Sequence, residues 1–313
     1  LSILSACKEN PISSGRFPTE AGPILFVSDK SGTYQLYSMN EDGSNVQQLT
    51  NDPNFPISDA KWSPDGKKIA VESIIGDERT YPRFRLAIFV MDSDGRNRYQ
   101  LTKQWFYVDD STYGRLGYGG ATESVWSPDS RQIAYARMMV PEAIANHDVF
   151  VINIDGSNER RITASVTISE IVTSWSPNGQ LFLANIIDWS ILGKMIFIGV
   201  LSLRGQVQRA IPSDSVSGSN AIWSPDQNHI AYTSWGGLRH EIFISDEGGN
   251  NARILPTTNN TYNIAVDWSI DSQKILFNSS GGKIFVIRQD GNNLTEITPA
   301  NFTNPIATSW RRR

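Results

Sequence analysis

The sequence predicts an all-β fold: a six-bladed β-propeller of four-stranded antiparallel blades, its ring closed where the C-terminal strand joins the N-terminal blade. Three observations predict it. The phrase Trp-Ser-Pro-Asp-Gly, or a decayed copy of it, recurs at Trp62, Trp126, Trp175, Trp223 and Trp268 and, in its barest form, at Trp310. Between these tryptophans a β-branched and aromatic run closed by Asp-Gly also recurs: LYSMNEDGSN from Leu36, IFVMDSDGRN from Ile88, VFVINIDGSN from Val149 and IFVIRQDGNN from Ile284. The steps from one tryptophan to the next, about 42 to about 64 residues, suit four short strands and their turns.

The second copy shows the elements in order. Ala60–Ser63 reads as a first strand, Pro64-Asp65-Gly66 as a tight turn and Lys68–Glu72 as a second strand. Leu86–Met91 follows as a third strand, Ser93–Gly95 as a hairpin turn and Arg98–Thr102 as a fourth strand. Proline presets φ at the second turn position and glycine accepts a positive φ, so both punctuation marks have a mechanism. A sheet apolar on both faces cannot bury either alone, so the copies must stack. Pro23–Ser28 reads as a second strand with no first strand before it, and Thr308-Ser309-Trp310 as a first strand without successors. Joining the two closes the ring and removes the open edges. Six tryptophans then mean six blades.

The repeat fills the 313-residue chain from residue 22 to 313, which reads as one domain. A net charge of −4 argues against a nucleic-acid surface, which needs clustered Lys and Arg; the terminal Arg311-Arg312-Arg313 is too short to change that. No run of about 18 apolar residues is present to span a membrane as a helix.

The sole cysteine, Cys7, cannot form an internal disulfide. Leu4-Ser5-Ala6-Cys7 follows an apolar start and precedes polar residues, and it resembles the lipobox of a bacterial lipoprotein signal. On that reading residues 1–7 are the remnant of an export signal ending in the lipidated cysteine, and residues 8–21 are a polar tether. The alternative is a frayed apolar terminus with an idle thiol.

SNVQQLT, DAKWSPDGKKIAVES and LYSMNEDGSN resemble the propeller repeats of TolB and its relatives, over roughly Pro23 to Trp310. The resemblance implies a monomeric six-bladed propeller on the periplasmic or extracytoplasmic side of the cell envelope, touching a membrane only through a lipid at Cys7. It implies work by binding an envelope protein or peptide, with no catalysis and no cofactor. TolB carries a separate α/β domain before its propeller, whereas about fifteen residues lie between Cys7 and the first strand here. Duties of that domain are not carried over. Similar repeats occur in peptidase-associated propellers, so the resemblance fixes shape better than task.

Propeller turns alternate between two faces. The Ser-Pro-Asp-Gly and Asp-Gly turns share one, and the longer links share the other, where a ligand is expected. The largest links are Ser73–Arg85, with Tyr81, Arg83 and Phe84, and Lys103–Thr122, with Trp105, Phe106, Tyr107, Asp109, Asp110, Tyr113, Arg115 and Tyr118. Aromatic residues and Arg are the types that dominate binding hot spots. They serve equally as a lid folded onto the propeller; Trp189 and Trp235, from other links of this face, favour recognition. Residues just before each first strand should ring the channel mouth, among them Asp59, Glu123 and Asn220. Asp59 and Glu123 come from adjacent blades and could face one basic group or one hard cation; solvated rim charge, or capping of strand-end amides, is the plainer reading.

Catalytic signatures are sparse. Asp92–Gly95 imitates the opening of a calcium loop but lacks its twelfth-position glutamate, so it reads as a hairpin turn. His147 and His240 both open third strands, but of blades 120° apart, which places them on the order of 20 Å apart given strands about 5 Å apart. No Gly-x-Ser-x-Gly elbow or phosphate-cradling glycine loop appears. The rivals to protein binding are a carbohydrate-binding propeller, with Trp and Tyr as stacking platforms, an enzyme acting on polysaccharide or peptide, and a structural spacer.

If the second-blade link recognises a partner, Trp105→Ala with Tyr107→Ala should weaken partner capture while thermal stability stays within about 1 kcal/mol, as for surface changes. A much larger loss in a melting experiment would place those rings in the core.

Overall fold

The structure is a computed structural model. It describes residues 21–75, 85–103, 121–139, 146–190, 195–211, 217–236, 239–258 and 262–312. The expectations at Cys7, Tyr81, Arg83, Trp105, Phe106, Tyr107, Tyr113, Arg115 and Tyr118 lie outside the described residues.

Each blade is a four-stranded antiparallel sheet, and there are six. Their innermost strands are Ile306–Trp310 in blade 1, Ile57–Trp62, Ala121–Trp126, Ile168–Trp175, Ser217–Trp223 and Asn263–Trp268 in blades 2 to 6. Blade 1 joins both ends of the chain, because Ile306–Trp310 pairs antiparallel with Ile24–Ser28. The ring therefore closes through the predicted strand exchange.

Side chains alternate across each strand, so every sheet feeds two seams. Ile69 and Val71 of the second strand of blade 2 pack toward blade 1 with Leu25, Val27 and Leu36. Ala70, between them, packs toward blade 3 with Tyr135 and Phe150. The same division gives one apolar cluster to each of the six neighbouring pairs of blades. All six repeat tryptophans are buried, at most 6% exposed, and each belongs to the seam with the preceding blade. Their indoles also reach across it. Trp126 Nε1 donates to Lys61 O at 3.0 Å, Trp268 Nε1 to Ile222 O at 3.3 Å and Trp62 Nε1 to Pro23 O at 3.1 Å. A buried carbonyl that would otherwise go unpaired is thus satisfied by the next blade.

The repeated turn phrase has an equally local cause. Ser63 Oγ donates to Asp65 Oδ1 at 2.7 Å while accepting Lys68 N at 2.9 Å, and Gly66 holds φ at 69°. The serine contact recurs as Ser127 to Asp129, Ser176 to Asn178, Ser224 to Asp226 and Ser269 to Asp271. In the hairpins that close the third strands, Gly95 has φ 84°, and a Cβ there would stand 2.1 Å from Leu49 O of the preceding blade. Glycine is required there both by the turn and by the approach of the neighbouring sheet.

Because Trp310 closes the ring and fills the seam between blades 6 and 1, Trp310→Ala should cost about 3–5 kcal/mol. Val207→Ala, on an outer strand and 48% exposed, should stay within about 0.5 kcal/mol. Chemical denaturation of the two variants makes the comparison.

Candidate functional site: the lumen and the loop face

The sequence places Asp59, Glu123 and Asn220 just before their first strands; the structure corrects this, with all three inside those strands. Every innermost strand carries a bulge, two to three residues before its tryptophan in five blades, for example between Thr122 and Val125 and between Ser219 and Ile222, and at Ser58, four before Trp62, in blade 2. The bulge breaks the alternation that marks a strand, which hides its true start. Glu123 and Asn220 occupy the bulge with φ of 56° and 52°, and their side chains turn toward the lumen.

Second strands hold these bulges in place. Asn278 Oδ1 accepts Ala307 N at 2.8 Å, Asn185 Oδ1 accepts Asn220 N at 3.1 Å and Thr233 Oγ1 accepts Ala265 N at 3.1 Å, each from the next blade. Glu72 occupies the same place in blade 2, its Oε1 accepting Ser124 N at 2.8 Å. A carboxyl thus stands where other blades use a neutral amide or hydroxyl. Burial, followed by the charges of Asp59 and Glu123, pushes Glu72 well above the usual carboxylate range, against the pull of the Ser124 amide and Lys61.

The lumen is a cavity of about 220 Å³ lined by all six innermost strands. Of the readings open for Asp59 and Glu123, a basic group of the chain itself lies beside Asp59. Lys61 Nζ lies 3.2 Å from Asp59 Oδ2 and donates to Thr308 O of blade 1 at 2.6 Å. Burial alone would lower the Lys61 ammonium, but Asp59, Glu123 and Asp267 outweigh it and hold it above its ordinary value. Glu123 is open to the lumen yet surrounded by protein, and burial, then Asp59, raises its carboxyl while Lys61 opposes.

Across the lumen Asp267 ties three blades. Its Oδ2 accepts Trp310 N at 2.9 Å and Ser309 Oγ at 3.3 Å, and Ser309 Oγ accepts Trp62 N at 3.1 Å. Arg312 approaches it at 3.6 Å. Sequence reasoning missed Lys61 and Asp267 as lumen residues. The available signal was their shared position immediately before the tryptophan, where alternation opposes the buried ring.

Among the described residues no group of three or more His, Cys, Asp or Glu is placed to hold a metal ion. His147 meets Ser169 at the seam of blades 3 and 4, and His240 stands edge-on to Tyr262 at the seam of blades 5 and 6, so the two histidines serve different seams. Trp235 lies within a second strand, paired with Ser217 and His240, not in a link as the sequence suggests. Trp189 directly follows the second strand of blade 4, its N–H donating to Thr167 O at 2.9 Å, and is 36% exposed.

On the same face, where the innermost strands begin, Tyr34, Val166, Tyr262 and Ile306 are also exposed. On the turn face, among the described residues, Ile270 in the decayed turn after Trp268 is exposed, as are Val207 and Leu294 beside hairpin turns of outer strands.

A family model described as the TolB beta propeller domain matches residues 78–309, and the chain belongs to that family. Over 144 residues it is 27% identical to the Protein TolB homolog of Chlorobium chlorochromatii, covering 39% of this chain and 32% of the relative. It is 28% identical over 152 residues to the Tol-Pal system protein TolB of Anaeromyxobacter dehalogenans, covering 49% of this chain and 29% of the relative. The chain spans about a third of the length of these curated relatives. The crystal structure of TolB from Acinetobacter baumannii superposes with a TM-score of 0.67 at 19% identity, over 91% of this chain and 66% of that one.

Lys61→Met should destabilise the fold by roughly 3 kcal/mol, because it leaves Asp59 without its partner in the lumen. Adding Asp59→Asn should recover part of that loss, and a double-mutant cycle of unfolding free energies reads the coupling.

Proposed function

We propose that this member of the TolB beta propeller domain family is an exported, lipid-anchored protein of the cell envelope that binds a protein or peptide through its loop face. The observation that supports the reading is the uneven distribution of exposed apolar side chains. Tyr34, Val166, Trp189, Tyr262 and Ile306 open onto the loop face from blades 1, 4 and 6. The opposite face is tied down by the repeated serine-to-aspartate turn contacts. Apolar and aromatic groups surrounded by polar loops are the usual anchors of protein recognition.

The lumen plays a supporting part in this reading. Lys61, paired with Asp59, and Asp267 both bond to the innermost strand of blade 1, so they fix the ring on which the loops stand. Binding then draws its affinity from shape and aromatic anchors, and the chain has no catalytic task. Lipidation at Cys7, with residues 8–21 as a tether, would hold the propeller at a membrane surface.

Capture of partners from envelope extract, run beside a glycan array, tests the reading. Trp189→Ala combined with Tyr262→Ala should reduce protein capture at least about ten-fold, the scale of a lost hot spot, whereas Ile270→Ala on the opposite face should leave it unchanged. Equal loss from both variants, or binding confined to glycans, would refute it.

A further inference from the structure

The seam between blades 3 and 4 holds a second pair of carboxyl groups, unrelated to the lumen. Asp148, on the third strand of blade 3, is 0% exposed, and Glu170, on the innermost strand of blade 4, is 5% exposed. The two strands pack against each other. Donors for four carboxyl oxygens are few. Arg161 Nη2 donates to Asp148 Oδ2 at 2.5 Å. The Ser165 amide adjoins Asp148, the Glu170 amide adjoins its own carboxyl, and the Thr163 hydroxyl adjoins both groups, but that hydroxyl, which accepts Val149 N at 2.9 Å, has a single proton to give. Asp148 Oδ1 and Glu170 Oε2 are buried without a hydrogen-bond partner.

Two buried carboxylates facing one guanidinium leave a charge uncompensated, which costs several kcal/mol in a protein interior. A proton held by the pair would remove that charge and supply a donor where neither orphaned oxygen has one. We propose that Glu170 and Asp148 share one proton, joining blades 3 and 4 as a hydrogen-bonded acid and carboxylate, and that release of this proton to solvent loosens the seam beneath the loop face.

The surroundings agree. Charged and titratable residues on the elements packed against the innermost strand of blade 4 are Glu123, Arg137, His147, Asp148 and Arg161 of blade 3 and Asp188 of blade 4. The innermost strand of blade 5, Ser217–Trp223, has none. Burial, followed by the Asp148 charge, raises Glu170 to about 7, with Thr163 and Arg161 opposing. Burial likewise raises Asp148 against Arg161. A carboxyl whose proton is held more tightly in the folded state than at its ordinary 4.5 stabilises the fold at low pH. That contribution is complete below about 4.5 and is lost as the pH rises through about 7.

The test compares the pH dependence of unfolding in the wild-type protein and in Glu170→Gln, whose amide can donate to Asp148 permanently. Between pH about 5 and about 7 the wild-type unfolding constant should rise by up to about ten-fold per pH unit more than that of the variant, the slope of one linked proton, and the difference should level off above about 7. Infrared difference spectra, wild type minus Glu170→Gln, should show a protonated carboxyl band at pH about 6 that disappears at about 8. Asp148→Asn, as a second variant, should move that band's titration to lower pH by removing the neighbouring charge. Identical pH slopes for wild type and Glu170→Gln, or a wild-type difference spectrum without a protonated carboxyl, would overturn the proposal. So would abolition of the pH dependence by a chelator, which would put a cation in the gap instead.

Discussion

A blade one sheet thick has no interior of its own, and the rest of this structure depends on that constraint. Alternate side chains of each strand point to opposite faces, and each face finds cover only in a neighbouring sheet. The six apolar clusters accordingly lie between blades. An open stack would leave two faces in water, so stability requires that Ile306–Trp310 pair with Ile24–Ser28. The repeat tryptophan suits the seam because one side chain fills it and, at Trp62, Trp126 and Trp268, also carries a donor to the neighbouring blade's backbone. Leu or Phe would fill the space without satisfying Lys61 O or Ile222 O.

The same constraint explains why fold was easier to read in the sequence than the site. Blade number, strand order and ring closure depend on residues with a single structural use, such as the buried Trp62 and the positive-φ Gly66. These uses repeat, so the sequence advertises them six times. The lumen residues do not repeat. The position before the tryptophan is Lys61, Val125, Ser174, Ile222, Asp267 and Ser309 in successive blades, and only their assembly around one axis shows that Lys61 meets Asp59 and that Asp267 reaches Ser309. Bulges compounded the difficulty: Asp59, Glu123 and Asn220 were expected outside strands that contain them.

Asp148 and Glu170 were still less legible, although each left a trace. Asp148 stands where other blades have Gln35, Ala87 and Lys283 at the start of the buried third-strand run. In blade 1 the Gln35 side chain is satisfied by the backbone of Asp52, donating to its O at 2.9 Å and accepting its N at 3.0 Å. At Asp148 the equivalent loop adjoins the carboxyl through the Ser165 amide, so the loop alone does not mark the residue as unusual, and Glu170 lies 22 residues away on the next blade. Neither residue indicates by itself that the other exists.

The division of labour between the two faces follows from the same physics. A turn in which Ser63 bonds both Asp65 and the backbone of Lys68 leaves few positions free to vary. Even the decayed copies keep the contact, as Ser269 with Asp271 does, while holding non-glycine Ser272 at φ 59°. The described links on the opposite face repeat no such pattern: in blade 1 the Asp52 backbone meets Gln35, and Thr258, between blades 5 and 6, meets Asn263. The innermost strands tie to their neighbours through Glu72, Asn185, Thr233 and Asn278 whatever the link above them contains. Length and aromatic content can therefore accumulate in those links without loosening the ring, so rigid blades and links of varied length coexist in one chain.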